Sequence, residues 1–110
     1  MELTGETKIE FEKWYANNHC KGLTSRNLIK LEIKLFYSMH SSMQFGVYQD
    51  YFDSVGIYTS TCGLVLSKTY LADVSVQVNS QFNYDALLSR SEARTASIKK
   101  ANEIRNEQLK

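Results

Sequence analysis

The chain of 110 residues contains no proline, only two cysteines and only five glycines. No Pro/Gly/Ser-rich linker divides it, and no internal repeat is visible, so one domain of ordinary size is expected. Such a domain buries roughly 65% of its unfolded surface. Cys20 and Cys62 are isolated, which excludes a disulfide framework and a CxxC site. Long apolar runs are also missing. The uncharged stretch of residues 55–67 is rich in Thr, Ser and Gly and is too short and too polar to span a bilayer. The first residues lack the basic, apolar and small-residue succession of a signal peptide. With 43% hydrophobic and 23% charged residues, the composition is neither disordered nor fibrous. These absences lead to the expectation of a soluble protein in a reducing cytoplasm.

The formal charge of +1 hides a division. Residues 1–34 sum to +1, residues 35–88 to −3 and residues 89–110 to +3. The middle holds one base, Lys68, and four acids, Asp50, Asp53, Asp73 and Asp85. It also holds ten of the 13 aromatic residues. A mild asymmetry of this kind fits a core-bearing middle followed by a solvated helix.

Local patterns predict an α+β domain. Thr7 and Glu10 have capping-box spacing, and Phe11, Trp14 and Tyr15 continue as an apolar stripe. Asn17, Asn18 and Gly22 are expected to stop this first helix. Over residues 28–37, Ile29, Leu31, Ile33 and Leu35 alternate with Lys30, Glu32 and Lys34. A strand with one wet face explains that alternation better than a helix, on which Glu32 would fall inside the apolar arc. Leu, Lys and Glu are nevertheless good helix formers.

Ser41 and Ser42 can cap a central helix. Its stripe comprises Met43, Val47, Tyr48, Tyr51, Phe52 and Val55, and Gly56 would stop it. Gly46 within that helix suggests close packing against a neighbour. Residues 57–67 and 70–79 read as antiparallel strands joined by a turn near Ser67 and Lys68; the sheet is expected to have two strands, or three where residues 82–87 add a short one. Ser89 and Glu92 repeat the capping-box spacing, and a last helix is expected to run to Gln108. Its inner face of Ala93, Ser97, Ala101 and Ile104 would let it lie close on the sheet.

Residues 42–57 read SMQFGVYQDYFDSVGI, and residues 89–107 read SRSEARTASIKKANEIRNE. These two blocks resemble small uncharacterised proteins of bacteriophages and prophages of Bacteroidetes-type hosts. The likeness covers about two-thirds of the chain. It departs at Met39, His40 and Ser41, where many of those proteins carry a proline. The resemblance implies no reaction and no catalytic residues. It implies a phage accessory protein acting in a bacterial cytoplasm, where many such proteins bind a host or defence complex. Inhibitors of CRISPR effectors are one such class.

Candidate chemistry is sparse. His19 and Cys20 are adjacent, but neighbouring side chains on an extended chain face opposite ways. Cys62 reads as a small core residue. His40, Asp50 and Asp53 lack a metal-ligand spacing, even with His19 added. Gly46, Gly56 and Gly63 are too far apart for a phosphate loop. No cofactor, metal or catalytic group is therefore expected, and no enzyme. Arg90, Arg94 and Arg105 fall within roughly 60° of one another on the last helix and could meet phosphates. The helix–strands–helix order is similar to the double-stranded-RNA-binding fold, but a clustered lysine motif is missing at the last helix start. Tyr48, Tyr51, Tyr58, Tyr70 and Tyr84 are more hydroxyl-bearing rings than so small a core readily buries, and such rings are enriched in interfaces. The leading expectation is thus a non-enzymatic inhibitor of a host protein or nucleoprotein complex, specifically a CRISPR effector. Gln49, Asp50, Asp53, Tyr58 and Tyr70 are its candidate contacts. The alternative is a nucleic-acid-binding protein using the three arginines.

Overall fold

The computed structural model describes residues 1–64, 69–76 and 80–110. Four helices and three strands follow in the order α1 (Gly5–His19), α2 (Arg26–Ser38), α3 (Ser41–Ser54), β1 (Ile57–Leu64), β2 (Thr69–Val76), β3 (Ser80–Leu88) and α4 (Arg90–Gln108). The strands form one antiparallel sheet in the order β1-β2-β3. Thr59 pairs with Val74 and Thr61 with Ala72, and the β2–β3 register shifts between Tyr70 and Ala72. This is the expected α+β class, with the C-terminal helix packed on the sheet.

The sheet alternates as period-two side chains must. Ile57, Thr59, Ala72 and Val74 are buried, whereas Tyr58 and Ser60 are exposed. Helices α3 and α4 touch each other, and both pack on β1. Their buried faces supply Tyr48, Tyr51, Phe52, Ile98 and Ala101 to a core shared with Ile57 and Val74. Helix α1 adds Phe11, whose ring lies 5.0 Å from Tyr48, 5.3 Å from Tyr51 and 5.5 Å from Phe36 of α2. An aromatic cluster therefore joins the first three helices to one another, and α4 ties them to the sheet.

Residues 28–37 belong to a helix, not a strand. Two apolar stripes lie on opposite sides of α2, and superposed on the sequence they mimic period-two alternation. Ile29, Ile33, Phe36 and Tyr37 face inward at i, i+4, i+7 and i+8, while Leu28, Leu31 and Leu35 face solvent. Glu32 lies at the seam between them, exposed. Helix propensity and the inward stripe together outweigh the apparent alternation.

The helix ends carry other differences. Thr4, not Thr7, stands at the N-cap position of α1, with no side-chain cap bond. Thr7 is fully buried, and its hydroxyl donates to Asn106 Oδ1 at 2.6 Å. Gly5 has a φ of +65°, and an added Cβ would stand 2.9 Å from Asn106 Oδ1, so both conformation and space require glycine there. Helix α1 ends at His19, just before the turn that contains Gly22. His40 caps α3 in place of the serines, its Nδ1 accepting the Ser42 N–H at 3.2 Å. This side-chain cap satisfies a main-chain N–H at the entry of the helix. Met43 leaves the expected stripe and is 63% exposed. Gly46 is also exposed, with open space where a Cβ would sit, so no close packing explains it.

Gln44 is completely buried, although it is polar. Its Nε2 donates to the carbonyls of Phe36 and Tyr37, and its Oε1 accepts from the Met1 nitrogen. It therefore satisfies orphan carbonyls at the C-terminus of α2. The Ser89–Glu92 capping box has both of its bonds, at 3.2 and 3.3 Å, and α4 ends at Gln108 as expected. Ala93, Ser97 and Ala101 are buried as its inner face, with Ile104 half-buried. The expected turn at Ser67 and Lys68 and the strand ends at 65–67 and 77–79 lie outside the described residues.

Candidate functional site

Each expected contact residue occupies a definite place. Asp50 and Asp53 project from α3 into solvent, one helical turn apart. Partial burial pushes the Asp53 carboxyl above its ordinary value, and the neighbouring Asp50 charge adds to the effect. Gln49 points elsewhere: its Nε2 donates to the Thr59 carbonyl of β1 at 2.7 Å and ties α3 to the sheet. Tyr58 is 46% exposed on β1. Tyr70 meets Arg90, which donates to its hydroxyl at 2.9 Å and places its guanidinium 4.9 Å from the ring centre. These five residues do not form one continuous contact set. The tyrosine surplus also divides: Tyr48 and Tyr51 are core residues, and burial pushes both hydroxyls far above their ordinary pKa. The side chains of Tyr84 and Cys62 lie outside the described residues.

The three arginines are all engaged within the fold. Arg94 lies over the Phe45 ring at 5.5 Å. Arg105 grips Glu10 with two bonds of 2.9 Å and donates a third to Gln108. Tyr51 donates to the same Glu10 at 2.7 Å, so the carboxylate joins α1, α3 and α4. The hydrogen bond from Arg105 is the main reason that the Glu10 carboxyl is held below its ordinary value. Arg105 is thus committed to the fold and does not share a free phosphate-binding row with Arg90 and Arg94.

The other candidates are dispersed. His19 stacks on Tyr15 with ring centres 4.8 Å apart. Cys20 is buried, and that burial raises its thiol pKa, away from the thiolate that nucleophilic chemistry needs. His40 and Asp50 stand at positions about 15 Å apart along α3. Among the described residues, no group of three His, Cys, Asp or Glu side chains could hold a metal ion. A half-open cleft of about 320 Å³ lies between the N-terminal segment and α4, lined in part by Leu3, Thr4, Ile98, Lys99 and Asn102. Thr4 and Asn102 hydrogen-bond to each other, so these polar groups are already paired.

The largest feature missed in the sequence is the outward stripe of α2. Leu28, Leu31 and Leu35 are 49%, 50% and 49% exposed. Their i, i+3, i+7 spacing is a helical signal, hidden by the stronger impression of alternation. Arg26, Lys30 and Lys34 are all exposed, but only Lys34 borders the leucine stripe, whereas Arg26 and Lys30 fall on the side of the inward stripe. None of them joins an ion pair among the described residues.

Compared with known proteins, the chain matches no family model, and no curated protein or solved structure is significantly similar to it. Among the described residues, no helix is long and apolar enough to cross a membrane.

Proposed function

We propose that the protein is a non-enzymatic accessory protein that inhibits a host defence system by binding a protein or nucleoprotein complex, with a CRISPR effector as the specific target. The supporting observation is the unpartnered apolar stripe of α2. A helix that buries one face in its own fold and presents three half-exposed leucines on the other has surface suited to a second protein. The phage resemblance supplies the biological setting, a bacterial host. The direct test is capture by the tagged full chain from bacteria carrying active defence systems, paired with phage plating with and without the protein expressed. The expected result is recovery of a defence component and higher plating efficiency. Recovery of no bacterial protein across several such hosts, with plating unchanged, rejects this reading.

One observation favours a second reading. The order α3-β1-β2-β3-α4, with both helices packed on the sheet, is similar to the element order of double-stranded-RNA-binding domains. In that reading Arg90 and Arg94 would meet phosphates. Affinity for duplex RNA that falls steeply with salt supports it, and no binding at low salt rejects it.

A further inference from the structure

We draw no further inference here: the strongest candidate, the outward leucine stripe of α2, is an unpartnered apolar face, and nothing in the structure shows what covers it.

Discussion

At the scale of single residues, burial gives the sharpest expectations. Phe52 is completely buried where α3 meets the core. Phe52→Ala should cost about 3–5 kcal/mol in urea unfolding, because the surrounding rings cannot collapse into the space left behind. A loss under about 1 kcal/mol would mean that α3 is oriented differently. Thr59 presents the reverse case. It is 4% exposed, and its hydroxyl has no hydrogen-bond partner among the described residues. Thr59→Val replaces that hydroxyl with a methyl group of similar size. It should raise stability by about 1 kcal/mol by removing an uncompensated buried polar group. The Gln49 bond to Thr59 uses the main-chain carbonyl, so it survives the change.

At the scale of elements, helices α2 and α3 show what the sequence made legible. The capping box at Ser89 could be read directly from the spacing of its two hydrogen-bonding side chains, and the inner face of α4 and the strand alternation around Val74 because one buried face determined each pattern. Helix α2 could not, because its apolar residues answer to two different surfaces. One is the aromatic cluster and the other is solvent, and no periodicity records which stripe is buried. The same ambiguity concealed the exposed leucine stripe, while charge and tyrosine counts pointed to α3 and the sheet. The two stripes separate in a stability measurement. Leu31→Gln should change unfolding free energy by less than about 1 kcal/mol, whereas Phe36→Ala should cost about 3–5 kcal/mol, since Phe36 is 1% exposed. Equal costs would contradict the assignment of faces. In α3, Gly46 is an exposed helical glycine with free space at the Cβ position. Gly46→Ala should therefore stabilise by about 0.5–1 kcal/mol, read as a higher midpoint in thermal melts.

At the scale of the whole molecule, long-range polar contacts connect elements distant in the chain. Glu10 and Arg105 are 95 residues apart, and their pair joins α1 to α4. The Glu10 carboxyl is held below its ordinary value of 4.5, chiefly by the Arg105 hydrogen bond. A lowered folded pKa contributes stability that is fully present above the unfolded value and disappears as pH falls through the folded one. The stability difference between wild type and Glu10→Gln should therefore be constant from pH 7 to about pH 5.5, then shrink progressively below the unfolded value of 4.5. A difference that instead grew on acidification would show that the pair is not formed.

Thr7 and Asn106 stand 99 residues apart and share a 2.6 Å hydrogen bond. At about 5–20 residues per second, a ribosome needs roughly 5–20 s to pass from one to the other. Throughout that interval the first helix exists without the residues that seat its N-terminal turn. The N-terminal turn of α1 is thus made long before it can be seated, and its final placement waits on α4.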